Sequence, residues 1–303
     1  MKIRVGFGLG TFGADIDGET FWRIVDACEN GGWDSIWFSE RVSGPGPDPL
    51  AAMAAVAGRT RRLKFGMSVL VVPGRNPVLL AKELATIDML SNGRLVPAFG
   101  LGVESAVERA IFGVDRKEAA ARTEEAVVLM KRLWSEENVT LEGRFFTVNG
   151  LTLLPRPAQK PHPDVWFGGI SPPALRRVGR LGEGWLPSFI AVEEYKPMAD
   201  AIREAAAAAG REIDEEHYGA LVPYVPGNIA DPAPILEAVA ARRPGVDPRE
   251  IIVTDGLDGL RARLERLVDQ GASKFVVLPI LAPAGWEDEL ARLRSEVSVR
   301  LEN

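Results

Sequence analysis

Cysteine is almost missing from this 303-residue chain: Cys28 stands alone, so no disulfide can form within it. Set between Ala27 and Glu29 on an apolar helix, it reads as core packing. Histidine is nearly as scarce. His162 and His217 lie far apart and lack a carboxylate cluster at ligand spacing, which argues against metal catalysis, and the metal-site expectation is none. No G-x-S-x-G occurs, so there is no nucleophile elbow for hydrolysis. No apolar run approaches the roughly 18 to 20 residues of a membrane span, and no signal-peptide pattern opens the chain. A soluble cytoplasmic protein with no membrane partner is the expectation. Cations are outnumbered too: 36 Lys and Arg against 42 Asp and Glu leave a net charge of -6, which argues against a nucleic-acid surface while leaving room for a local basic pocket. No stretch has the composition of a linker, so residues 1–303 are read as one domain.

What is present is an alternation of apolar strands and amphipathic helices. The pattern is complete between Lys64 and Gly102. Lys64 to Val71 is a short apolar run of the kind a doubly buried strand shows, and Asn76 to Leu90 carries Val78, Leu79, Ala81, Leu84, Ala85 and Ile87 at helical spacing. Asn76 suits an N-cap, Pro77 the first helical turn, and Ser91-Asn92-Gly93 a left-handed stop before the strand from Arg94 to Phe99. Further strands are predicted at Ile3 to Leu9, Ser35 to Glu40, Asp164 to Phe167, Trp185 to Phe189, Ala220 to Val225 and Lys274 to Ile280, with helices between them. Eight strands, each followed by helix, predict an α/β fold of the (β/α)8 TIM-barrel type. Val139 to Leu154 is expected as a small hairpin inserted before strand five, turning near Glu142-Gly143 and again at Asn149-Gly150. The segment 226–249, after strand seven, is expected to act as a lid or substrate wall.

Gly8-Leu9-Gly10-Thr11-Phe12-Gly13 is a literal G-x-G-x-x-G, with Glu40 ending the second strand where a ribose-binding acid would sit. A dinucleotide fold starts its helix inside that motif, whereas here Ala14 to Gly18 intervene with two negative charges near the place of a pyrophosphate. A glycine-lined barrel rim explains it better. Gly100-Leu101-Gly102 and Gly168-Gly169 end strands four and five, and glycine there either leaves backbone N–H groups open to a phosphate or ring edge, or only makes tight turns. Trp22, Trp33 and Trp37 read as packing.

The runs PGRNPVLLAKELATIDMLSNGRL and GRFFTVNGLTLLPRPAQKPHPDVWFGGISPPALRRVGRLGEGW, in this order, resemble the bacterial luciferase-like superfamily over residues 1 to 190, and SERV and AFGLGVES resemble its F420-dependent oxidoreductase branch. The resemblance implies a luciferase-like barrel that transfers a hydride between coenzyme F420 and a small organic substrate, acting as a homodimer. The alternatives it leaves are an FMN-dependent monooxygenase and a non-catalytic (deaza)flavin-binding protein. It implies a cis Ser68–Val69 peptide against the ring, and cofactor contacts from Gly100, Leu101, Gly102, Val103, Gly168, Gly169, Ile170, Ser171 and Trp185. It also makes Glu40 and Arg41 the catalytic pair. Relatives carry an acid followed by histidine at this point, and arginine cannot exchange a proton as imidazole does, so Glu40 would handle the proton and Arg41 fix charge. The rival reading of Glu40 is an ion pair with a neighbouring cation. Arg41, Arg75 and Arg109 are the cations that would meet the anionic tail of F420.

Overall fold

The computed structural model describes residues 1–10, 16–102, 105–227, 229 and 231–302. Eight parallel strands form the barrel: β1 (Arg4–Leu9), β2 (Ser35–Phe38), β3 (Lys64–Met67, resumed at Leu70–Val71), β4 (Leu95–Val96, resumed at Ala98–Gly100), β5 (Trp166–Phe167), β6 (Gly184–Trp185), β7 (Gly219–Tyr224) and β8 (Lys274–Pro279). Each pairs with the next, and β8 returns to β1 through Arg4↔Lys274 and Phe7↔Val277. The seam between β6 and β7 is the thinnest, closed by the two bridges Trp185↔Tyr218 and Ser188↔Leu221. The predicted (β/α)8 architecture is the observed one.

The helix predicted after β3 is Pro77–Ser91, with Asn76 accepting from the Val78 and Leu79 N–H groups and Asn92 left-handed at φ 58°. Two expectations shift. Strand six has strand geometry at Gly184–Trp185 and returns for a single bridge at Ser188, after which Phe189 takes φ 57° and turns the chain away. Asn149-Gly150 is a bulge within the second hairpin strand rather than a turn: Val139 pairs with Leu151 and Leu141 with Val148, which leaves the extra residue to Gly150 at φ 62°. Segment 226–249, expected as a lid or substrate wall, holds the helix Ala233–Arg242. Arg243 bonds the Phe189 carbonyl and pairs with Glu194 at 2.7 Å, while Phe189, Val225, Val239, Ile251, Ile252 and Ile280 make a small separate core.

Inside the barrel two indoles are the largest side chains of a separate buried cluster. Trp37 and Trp166 lie with Ala98, Leu186, Leu221, Val276 and Leu278, apart from the main core between strands and helices. A Cβ on Gly66 would stand 2.7 Å from the Trp37 ring, and one on Gly184 would stand 2.3 Å from the Trp166 ring, so these strand glycines exist to admit the indoles. Trp37 Nε1 donates to Ser35 Oγ at 2.9 Å, Ser35 Oγ donates to Asp34 at 2.7 Å, and Lys274 Nζ reaches the same carboxylate at 2.5 Å. Burial pushes the Lys274 ammonium below its ordinary range, against the pull of Asp34. Cys28 is fully buried, and burial pushes its thiol well above the usual value. No helix among the described residues is long and apolar enough to cross a membrane.

Breaking the ion pair from one side strands a buried carboxylate. Lys274→Met should therefore lower unfolding free energy by about 3 to 5 kcal/mol. Adding Asp34→Asn in the same chain should recover part of that loss, as read by urea unfolding of the two single variants and the double.

Candidate functional site

The C-terminal ends of β2 to β5 build one wall of the barrel mouth. Between the two halves of β3, Ser68–Val69 is a cis peptide, where the family resemblance placed one. The Val69 side chain lies on a glycine floor: a Cβ on Gly100 would come within 2.3 Å of Val69 Cγ2, and one on Gly168 within 3.2 Å of Cγ1. The Gly168 N–H is spent on the Phe99 carbonyl at 3.1 Å, so the first glycine of each pair serves close approach. The second glycines serve the turn. Gly102 has φ 89° and Gly169 φ 95°, which only glycine adopts without strain. Substituting Gly102 would thus disturb folding along with any ligand contact. Leu101, 39% exposed, and Gly102, Gly169 and Ser171 all face solvent at the mouth, with Ile170 half-buried beside them. Ser171 is the N-cap of helix Pro172–Leu181, but its hydroxyl makes no cap bond to that helix. Val103 lies outside the described residues.

Glu40 sits just past β2 with its side chain only 4% exposed. One carboxylate oxygen accepts the Val71 N–H at 2.6 Å, and the other takes a short bond from Arg75 Nη2. Arg75 Nε also donates to the Val71 carbonyl at 3.0 Å, so acid, arginine and strand three form a closed loop of bonds. The ion pair weighed as the plain reading of Glu40 is present. Burial nevertheless outweighs the Val71 N–H and Arg75, and the Glu40 carboxyl lies above its ordinary range. Nearby, Ser39 Oγ donates to the Ser68 carbonyl at 3.1 Å.

The next three residues belong to a second network. Glu108, on the short helix Ala106–Phe112, accepts the Val42 N–H at 3.1 Å, the Ser43 N–H at 2.9 Å and the Ser43 hydroxyl. Arg41, half-buried, adds its charge to this carboxylate. Beside it a cavity of about 250 Å³ opens, walled by Val71, Leu101, Gly102, Arg109, Phe112 and Arg116. Of the three cations expected to meet an anionic tail, Arg109 is on this wall, Arg41 is near Glu108, and Arg75 is committed to Glu40. Arg116 and Glu108 were not anticipated. Ser105-Ala106-Val107-Glu108 has the S-x-x-E spacing of a helix start, and that signal could have flagged this helix.

Trp185 is fully buried on the outer side of the barrel, its ring 5.1 Å from Tyr195, and it touches the site only by donating Nε1 to the Gly169 carbonyl at 3.0 Å. Its place is behind the glycine loop. Both histidines lie at the opposite end of the barrel: His217 Nδ1 is 2.9 Å from the Glu183 carbonyl oxygen, and His162 lies near Trp134. Among the described residues no three His, Cys, Asp or Glu side chains form a group able to hold a metal.

Residues 7–247 match the family model described as luciferase-like monooxygenase. Among curated relatives, the F420-dependent glucose-6-phosphate dehydrogenase of Kineococcus radiotolerans is 35% identical over 61% of this chain and 57% of its own length. The FMNH(2)-dependent dimethylsulfone monooxygenase of Pseudomonas putida is 34% identical over 52% of this chain and 44% of its own. The chain thus spans less than two thirds of these relatives. Among solved structures, monooxygenase RslO1 from Streptomyces bottropensis superposes with a TM-score of 0.79 at 25% identity, over 97% of both chains. An F420-dependent secondary alcohol dehydrogenase gives 0.81 at 18% identity over the whole of both, a likeness of fold.

Because Glu40 holds its proton more tightly folded than unfolded, its contribution favours the fold below the ordinary carboxylate range and is lost as pH rises through the raised value. Glu40→Gln cannot ionise. Its stability deficit against the parent should be largest in acid and should shrink toward neutral pH, as followed by urea unfolding across that range.

Proposed function

The chain belongs to the luciferase-like monooxygenase family, and on that premise we propose that it is an F420-dependent oxidoreductase that moves a hydride between the deazaflavin and a small organic substrate. The observation that carries the choice of cofactor is the cavity beside Gly102, walled by Arg109 and Arg116 in a chain of net charge -6. At about 250 Å³ it suits one anionic arm of a ligand and not a whole ring system. Arg109 and Arg116 both line it, and guanidinium groups suit phosphate or carboxylate oxygens in bidentate geometry. When bound, the deazaflavin supplies the hydride chemistry, and the chain supplies binding, orientation and charge.

The chain's own contributions follow from the mouth. Val69, seated on Gly100 and Gly168, presents a fixed apolar surface to a flat ring. Arg41 places a permanent positive charge at the end of β2, where negative charge on a reduced ring or substrate would be stabilised. Glu40, buried and bonded on both oxygens, holds strand three in place through Val71 and keeps a carboxyl of raised proton affinity next to it. With both histidines at the far end, no imidazole serves the mouth. A second reading, an FMN-dependent monooxygenase, is favoured by the likeness to monooxygenase RslO1 along nearly the full chain and to the FMNH(2)-dependent dimethylsulfone monooxygenase over half of it. A homodimer acting on a small-molecule substrate completes the proposal, by analogy with the family.

Titration of the cofactor-free protein with F420 and with FMN decides between the two. F420 should bind more tightly, and its affinity should fall as salt rises because the arginines act through charge. Arg116→Gln should weaken F420 by about tenfold or more, the worth of one charged hydrogen bond, while changing FMN less. FMN binding at micromolar strength with no F420 binding would overturn the choice.

A further inference from the structure

Glu108 is the acid in a wall otherwise made of apolar groups, glycine and arginine, and it is 3% exposed. In the S-x-x-E spacing its carboxylate would ordinarily turn back to the Ser105 N–H. It does not. Ser105 Oγ accepts the Glu108 N–H at 3.5 Å, but the Glu108 carboxylate leaves the helix and takes three donors from the loop after β2: two backbone N–H groups and the Ser43 hydroxyl. Two consecutive N–H groups on one carboxylate fix both the position and the direction of a peptide segment, since neither can rotate without losing its acceptor. The residue immediately before that segment is Arg41. The helix carrying Glu108 follows the glycine loop of β4, and its next residue, Arg109, is on the cavity wall. One buried side chain thus joins the loop that holds Arg41 to the element that lines the anion cavity.

We propose that Glu108 is a positioning residue, which sets Arg41 at the barrel mouth by locking the loop after β2 to the helix after β4. This rests on the reading of Arg41 as the charge-stabilising group. The Ser43 hydroxyl, the two N–H groups and Arg41 hold the carboxyl of Glu108 below its usual range against the effect of burial, so the joint stays charged at neutral pH. The benefit is preorganisation. Arg41 is placed before any ligand arrives, and a ligand arm in the cavity presses on the same joint from its other side.

The test uses the full chain with Glu108→Gln, Arg41→Ala and the double variant. Amide hydrogen exchange of the cofactor-free protein reads the joint directly: the Val42 and Ser43 amides should be protected in the parent and lose that protection in Glu108→Gln, while the Phe65 and Met67 amides in β3 keep theirs. Turnover with whichever cofactor the parent binds reads the consequence. Glu108→Gln should lower kcat by up to about 100-fold, the cost of a misplaced group, with little change in KM. The double variant should be no slower than Arg41→Ala, since a group that acts only through Arg41 has nothing left to position. Additive losses, or unaltered exchange at Val42 and Ser43, would overturn the proposal. Failure of the parent to bind F420 would count against the cofactor reading and leave the exchange experiment still decisive for the joint.

Discussion

A closed parallel barrel must fill its own interior, and here that requirement is met by two indoles. Trp37 on β2 and Trp166 on β5 both enter the interior, and the glycines paired with them on the adjacent strands, Gly66 and Gly184, give them room. The register of β2, β3, β5 and β6 is thereby pinned, because a slip of one residue would put an indole against a side chain instead of a glycine. It also fixes where the strands end at the mouth. The Ser35, Asp34 and Lys274 chain anchors one indole to the N-terminal rim, so the two ends of the barrel divide their work: polar anchoring below, open glycine loops above.

Most of this architecture was legible in the sequence because each strand is a short apolar run with a marked stop. The helix Pro77–Ser91 is an example in which cap, spacing and stop all agree, and the structure places Asn76 and Asn92 as they require. What escaped was local competition. Phe189 reads as the end of a strand but turns left-handed, and Asn149-Gly150 reads as a turn but is absorbed as a bulge by a hairpin already turned at Gly143. Helix Ala233–Arg242 was hidden by the prolines around it, which sit at its start, where they are tolerated.

The site was legible in its loops and less so in its partners. Strand-end glycines marked the loops of the candidate site, but not that Gly100 and Gly168 serve Val69 while Gly102 and Gly169 serve the turns. A sequence shows that an arginine is near the mouth. It does not show which acid has claimed it, and only the fold places Arg75 against Glu40. Glu108 illustrates the same limit: spacing alone would assign its carboxylate to its own helix, whereas in the fold it is taken by a loop 65 residues earlier.

The placement of the two histidines has a consequence for how the mouth responds to its surroundings. Imidazole is the side chain whose charge ordinarily changes within the physiological range, and both copies are held at the rim opposite the ligand. The arginines at the mouth keep their charge throughout, and Glu108 is held ionised. Among the described residues at the mouth, arginines and the ionised Glu108 carry the charge, while burial raises the proton affinity of Glu40.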